Sequence, residues 1–248
     1  MRLDKFLAEA GIGTRSQIKV YIKKGLVTVN GQRAKDASVH IDETKDGISF
    51  QNKLVFYKKN RYYMLHKPKG VVCATKDNVS KTVIQLFEPN LQKGLFPVGR
   101  LDKDTEGLLF LTTDGEFSHR LMSPKKHVEK TYYFEAEGSL DKEEIKKLES
   151  GIEISKDEPL TLPARLSDIQ QDEQLVKGCL TITEGRFHQV KRMLQAVDCH
   201  VIYLKRLSIG QVPLDERLAP GEYRELTDKE LQSLKNDFNS ENIVEEQQ

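Results

Sequence analysis

The chain has 248 residues, 38% hydrophobic and 31% charged, with a formal net charge of +1, enough for one medium domain plus a small one under a heavily charged surface. No stretch approaches the roughly 20 apolar residues of a membrane span, and the opening Met1-Arg2-Leu3-Asp4-Lys5 has no signal-peptide core. Cys73, Cys179 and Cys199 are odd in number and far apart, which argues against a disulfide framework or zinc site and for buried thiols in a reducing cytoplasm.

Leu3, Phe6, Leu7 and Ala10 sit at helical spacing, ended by Gly11 and Gly13. Thr14, with Gln17 three residues on, is a capping box opening a second helix that buries Ile18, Tyr21 and Ile22 and stops at Gly25. Leu26 to Arg33 alternates through Asn30-Gly31, the signal of a tight hairpin. Residues 42–60 are charged and turn-rich, with a linker expected near 58–60. A strand at Tyr62–Leu65 then runs into a turn at Pro68 and Gly70, and Val71-Val72-Cys73 is expected as the next strand. Further strands are expected at Thr131–Glu135 and Leu180–Thr183, and helices at 141–150 and about 187–197. Without a regular βαβ period, this is an α+β chain with a mostly antiparallel mixed sheet. From Asn236 the polar, acidic composition predicts a flexible tail over 236–248.

Charge is unevenly spread. Residues 1–35 hold eight Lys/Arg (Arg2, Lys5, Arg15, Lys19, Lys23, Lys24, Arg33, Lys35) against Asp4 and Glu9, while residues 137–174 hold eleven Asp/Glu against five Lys/Arg. A neutral total thus hides a basic end, as expected where one face meets a polyanion. Residues 99–109, Gly-Arg-Leu-Asp-Lys-Asp-Thr-Glu-Gly-Leu-Leu, carry the strongest chemical signal. Two carboxylates and an arginine stand in a glycine-bounded loop ahead of an apolar strand, which makes Asp102 or Asp104 a candidate nucleophile or acid/base. The plainer alternative is a turn whose aspartates bond their own backbone. Arg120, Lys125, Lys126 and Lys130 suit phosphates by charge. Tyr132 and Tyr133 fall on opposite faces of their strand, so at most one lines a site. In Glu184-Gly185-Arg186-Phe187-His188-Gln189-Val190-Lys191-Arg192, the cations near the helix start oppose the helix dipole and call for a carboxylate or phosphate. His188 has no second ligand at i+4, so no metal is expected.

The run Gly99-Arg100-Leu101-Asp102, with Thr105, Gly107, Leu108 and Leu109, resembles the GRLD-x-x-T-x-GLL signature of pseudouridine synthases of the small-subunit rRNA type. The resemblance implies that Asp102 rather than Asp104 is catalytic, that Lys130-Thr131-Tyr132 supplies an active-site tyrosine at Tyr132, and that Lys191 pairs with Asp102. Residues 2–31 resemble the S4 RNA-binding domain, which implies RNA contacts by Arg2, Lys5, Arg15, Lys19 and Lys23. Arg100, Arg120, Lys130, Arg186 and Arg192 are the RNA-binding candidates of the core, with Arg100 filling the gap left by a flipped base. The segments 207–210 and 218–224 are expected to be structural.

The domains expected are then 1–59 (S4-like, two helices and a hairpin), 60–235 (synthase core) and the tail. The implied reaction converts uridine to pseudouridine in ribosomal RNA without redox change or group transfer, so no cofactor is expected. Within the family, the amino-terminal run and the motifs at 118–120 and 130–132 look closest to the synthases of uridine 516 in 16S rRNA. A paralogue acting on 23S rRNA shares the core motifs, and a non-catalytic ribosome-assembly protein could share the fold. The partner expected is ribosomal RNA or a small-subunit assembly intermediate, met by a cytoplasmic monomer.

Overall fold

In the computed structural model, which describes residues 1–43, 45–55 and 60–239, helix α1 spans Leu3–Glu9 and α2 spans Arg15–Lys23. Thr14 closes the capping box on α2: its hydroxyl accepts from the Gln17 N–H, and the Gln17 side chain accepts from the Thr14 N–H. Strands β1 (Val27–Val29), β2 (Gln32–Arg33), β3 (Ile48–Phe50) and β4 (Lys53–Leu54) form a sheet in the order β2-β1-β3-β4. The turn between β1 and β2 has both Asn30 and Gly31 at positive φ, as a type I′ hairpin requires. Leu3, Phe6, Leu7, Ile18, Ile22 and Val27 are buried together, so the unit that ends at Asn60 has its own core. Its second pair of strands goes beyond the hairpin expected. Of the linker expected at 58–60, only Asn60 lies within the described residues.

The second unit begins at Arg61. In chain order it holds β5 (Tyr62–Lys67), β6 (Phe96–Val98), β7 (Glu106–Thr112), α3 (Gly115–Met122), β8 (Lys130–Glu137), α4 (Lys142–Ser150), β9 (Arg165–Gln171) and β10 (Leu175–Ile182). There follow α5 (Gln189–Gln195), β11 (His200–Ile209), β12 (Val212–Pro213), β13 (Tyr223–Glu225) and α6 (Asp228–Asn239). The sheet order is β13-β5-β7-β11-β8-β10-β9, with β6 on β7 and β12 on β11. All these pairings are antiparallel except β7 with β11, so the sheet is mixed and mostly antiparallel.

Strand β7 explains the unbroken apolar run of Leu108 to Leu111. Leu108 and Phe110 pack with Phe117 and Leu121 of α3 and Leu234 of α6, while Leu109 and Leu111 pack with Val83, Ile84, Phe87 and Leu95 on the other face. A strand covered on both faces has no reason to alternate. A third cluster joins Phe134, Ala136 and Leu180 of the sheet to Leu148 of α4 and Val190, Met193 and Leu194 of α5.

Three expectations change. Val71 to Cys73 is not a strand: Val72 makes one isolated bridge to Thr82, and among the described residues its neighbours pair with nothing in the sheet. Strand β11, at the centre of the sheet, was not signalled. α6 continues through Asn239, so 236–239 of the expected tail are helical; 240–248 lie outside the described residues.

Candidate active site

The loop from Gly99 to Thr105 joins β6 to β7 and is fastened from beneath. Lys67, the last residue of β5, is wholly buried. Its ammonium donates to the carbonyls of Thr105 at 2.8 Å, Asp102 at 3.0 Å, Pro68 at 3.2 Å and Lys103 at 3.4 Å. Burial holds its pKa below the ordinary lysine value, against the pull of Cys73, Asp102, Asp104 and Glu106. A buried cation gathering four carbonyls limits how the loop can move, which presents its side chains rigidly.

Above that knot, Asp102 is about a quarter exposed. Its Oδ2 lies 3.4 Å from Lys191 Nζ and its Oδ1 lies 3.4 Å from His188 Nε2. Lys191 also donates to Asp104 Oδ1 at 2.6 Å, so it stands between the two carboxylates and nearer the one not assigned to catalysis. Burial pushes the Asp104 carboxyl up, but the Lys191 hydrogen bond and charge outweigh it and hold the pKa below the usual range. Lys191 lies in the first turn of α5, and the carboxylates compensate a cation placed against the helix dipole. His188, just before α5, has φ +49°, and its ring stacks on Phe187 at 3.8 Å and 19°. Phe187 is 70% exposed, an aromatic face turned to water that no motif in the sequence marks.

The floor is made by the sheet where β11 runs between β7 and β8. Tyr132 lies opposite Arg206 in the β8–β11 pairing. Arg206 is 2% exposed; its Nε donates to the Leu108 carbonyl at 2.8 Å, and Nη1 donates to Tyr132 Oη at 3.4 Å. The guanidinium carbon is 5.9 Å from the centre of the Tyr132 ring. Gly107 has φ +103°, and a Cβ there would come within 2.3 Å of the Arg206 carbonyl oxygen, so only glycine lets the strands meet. Lys130 is buried, donates to the Val128 carbonyl at 2.7 Å, and is pushed down to about 8 by burial and by Arg206. Tyr133 faces away from Tyr132 and bonds Glu135 at 2.7 Å, which holds its hydroxyl at about 12. Between loop, floor and the segment before α5 opens a cavity of about 640 Å³, lined among others by Asp102, Lys130, Tyr132, Phe187, Lys191 and Arg206.

The remaining basic candidates divide by what already holds them. Arg100 is exposed at the cavity and Arg15, Lys19 and Lys23 are exposed on α2. Lys5 pairs with Glu9 at 3.9 Å and Arg120 with Glu116 at 3.9 Å, both in the open. Arg2 is locked to Asp4 by bonds of 3.0 and 2.8 Å. Three further candidates are held by the protein itself. Lys130 is 6% exposed, at the cavity wall. Arg186 donates to Glu184 and to the carbonyls of Pro159 and Leu160. Arg192 donates to Phe187, Ile154 and Glu158. Both arginines tie the segment before α5 to residues 154–160.

Residues 61–196 match the family model described as RNA pseudouridylate synthase, and residues 1–46 match that of the S4 domain. The chain is 47% identical over 235 residues to the uncharacterized RNA pseudouridine synthase YtzG of Bacillus subtilis (strain 168), covering 94% of this chain and 98% of that one. It is 42% identical over 234 residues to ribosomal small subunit pseudouridine synthase A of Vibrio cholerae, covering 94% and 99%. Among solved structures, a crystal structure of a pseudouridylate synthase superposes with a TM-score of 0.65 at 42% identity, covering 94% of this chain and 99% of that one.

Proposed function

The chain belongs to the RNA pseudouridylate synthase family, and from that premise we propose that it isomerises one uridine of 16S ribosomal RNA, uridine 516, with Asp102 as the catalytic carboxylate. The observation that carries the reading is the placement of Asp102 between Lys191 and His188 at the cavity that Tyr132 lines. The reaction breaks the N1–C1′ bond, turns the base and rejoins it through C5; C5 loses a proton and N1 gains one. Asp102 acts at the sugar, attacking C1′ or taking the 2′ proton. Lys191 keeps positive charge beside the carboxylate. The Tyr132 ring supplies a face for the base, which leaves its stack at a cost of about a few kcal/mol. Arg100 stands ready to fill the gap, and Phe187 offers a stacking face to a neighbouring base.

The S4 domain supports binding of RNA by the exposed Lys5, Arg15, Lys19 and Lys23, with Arg120 contributing from the core. The relatives named for the small ribosomal subunit support 16S rRNA over 23S rRNA. We assign an S4-like domain over 1–60 and a synthase domain from 61 through α6, the protein as a monomer, and its place as the cytoplasm, where ribosomal RNA and unpaired thiols both belong. Mapping of pseudouridine by chemical adduct and primer-extension stops, in cells with and without the gene, tests this. One small-subunit stop should vanish and return with the wild-type protein but not with Asp102→Asn. Loss of a large-subunit stop would redirect the assignment to 23S rRNA, and no change would leave a binding protein.

A further inference from the structure

Arg206 and Lys130 are cations taken out of water, yet neither forms an ion pair with a carboxylate among the described residues. Lys130 holds one carbonyl. Arg206 holds one carbonyl and the Tyr132 hydroxyl, and its Nη2 finds no hydrogen-bond partner among the described residues although it is buried. An uncompensated buried charge is costly, and an orphaned donor adds to the cost. Such an arrangement persists where something else brings the missing acceptor, and both residues line the cavity.

We propose that Arg206, with Lys130 behind it, is the electrophilic floor of the site. Its Nη2 N–H donates to a carbonyl oxygen of the target uracil and stabilises the negative charge that the ring carries once the N1–C1′ bond breaks. The inference rests on the Asp102 reading above and adds to it what receives the electrons. When N1–C1′ breaks, the bonding pair stays with the uracil ring, spread over N1 and its carbonyl oxygens. C1′ is joined to the Asp102 carboxylate, or becomes part of a sugar alkene whose 2′ proton Asp102 has taken. The turned ring returns the pair through C5 to C1′. The carboxylate leaves, or the proton goes back to C2′, after which C5 releases a proton and N1 binds one. Both routes put an anion on the ring, and preformed donors in a water-poor pocket act most strongly where charge develops. A base fits this floor better than a phosphate. The sugar carbon must stay at Asp102, so the part of the nucleotide that goes deeper, against the Tyr132 ring, is the base.

The test is the single-turnover rate of N-glycosidic bond loss by the full-length protein on target RNA carrying uridine or 5-fluorouridine, whose ring is the more stable leaving anion. Arg206→Met should slow the uridine substrate by about a hundredfold, as loss of one such donor does. It should slow the fluorinated substrate several-fold less, with RNA affinity and its salt dependence unchanged. Arg206→Lys, which keeps the charge and loses the fork, should fall between. Equal losses on both substrates would make Arg206 a packing residue and overturn the proposal. A lower affinity with a shallower salt dependence would overturn it in favour of a phosphate contact. If Arg206→Met does not fold, Lys130→Met carries the test with the same two outcomes. Asp102→Asn run beside them separates the failures. Full turnover by that variant, or none by the wild type on either rRNA, removes the Asp102 reading, whereas an inactive Asp102→Asn with equal losses at Arg206 removes this inference alone.

Discussion

In the N-terminal unit Arg15, Lys19 and Lys23 stand in solvent along α2, whereas Lys67, Lys130 and Arg206 lie under the cavity, each at most 6% exposed. All six count equally toward a net charge, and they have little else in common. The exposed cations keep their hydration, cost the fold little and act on a polyanion additively and at a distance. The buried ones have exchanged water for a few carbonyls, so each is a local liability offset by what it organises. Lys67 organises the Asp102 loop, while Arg206 ties β11 to Leu108 of β7 and Tyr132 of β8. Arg186 and Arg192 form a third case: they are partly exposed, yet their donors are taken by Glu158, Glu184 and nearby carbonyls.

The sharpest way to break this contrast is Lys67→Met. It leaves the Thr105 carbonyl without its donor, at about 1–3 kcal/mol for an orphaned group, while the Asp102 carbonyl keeps the Thr105 N–H at 3.2 Å. We expect a loss of about 2–3 kcal/mol in urea denaturation together with a large fall in turnover, since the loop bearing Asp102 loses its anchor. Asp102→Asn should abolish turnover at nearly unchanged stability. A Lys67→Met protein as stable and as active as the wild type would show that the loop holds itself.

Lys130 should respond in the opposite sense. Its pKa falls from the ordinary 10.5 to about 8 on folding, so between pH 8 and 10.5 the unfolded chain binds a proton that the folded protein lacks. Stability therefore rises with pH across that window. Below pH 8 Lys130 costs the fold its full penalty, about 3 kcal/mol for a shift of this size. Lys130→Met should remove that slope and raise stability at neutral pH by a similar amount, while turnover drops. Denaturation curves at pH 7 and pH 9.5 for both proteins check it. A slope that persists in Lys130→Met would assign the titration elsewhere.

These buried cations also mark where the sequence stopped being legible. Local chemistry foretold local structure: the Thr14–Gln17 box caps α2, Asn30-Gly31 turns the hairpin, and Gly107 meets the close approach that its position implied. The Asp102 loop was visible because its residues are contiguous. Lys67 and Arg206 were not, because a lysine or arginine is buried by neighbours distant in the chain: the loop some 35 residues on from Lys67, and Leu108 and Tyr132 for Arg206. For the same reason β11 escaped notice. His200 to Ile209 mixes Lys205 and Arg206 with apolar residues, and only its place between β7 and β8 makes it a central strand. The linking role of Lys191 was half legible: the helix dipole called for a carboxylate, but not for Asp104 to take the shorter bond.

The smallest expected effect tests the exposed side of the contrast. Lys19 and Lys23 are one turn apart on α2, like charges whose mutual repulsion disfavours the helix by about 0.2–0.5 kcal/mol. Lys19→Gln with Lys23→Gln should therefore leave the melting temperature unchanged or slightly raised. If each lysine meets a phosphate, the plot of log affinity against log salt should become shallower by about 1 to 2, and the apparent affinity at low salt should weaken. The change belongs in binding, because both residues lie in the unit that does not contain Asp102. An unchanged salt slope would mean that α2 faces away from the RNA, and that the basic character of the first 35 residues serves solubility rather than recognition.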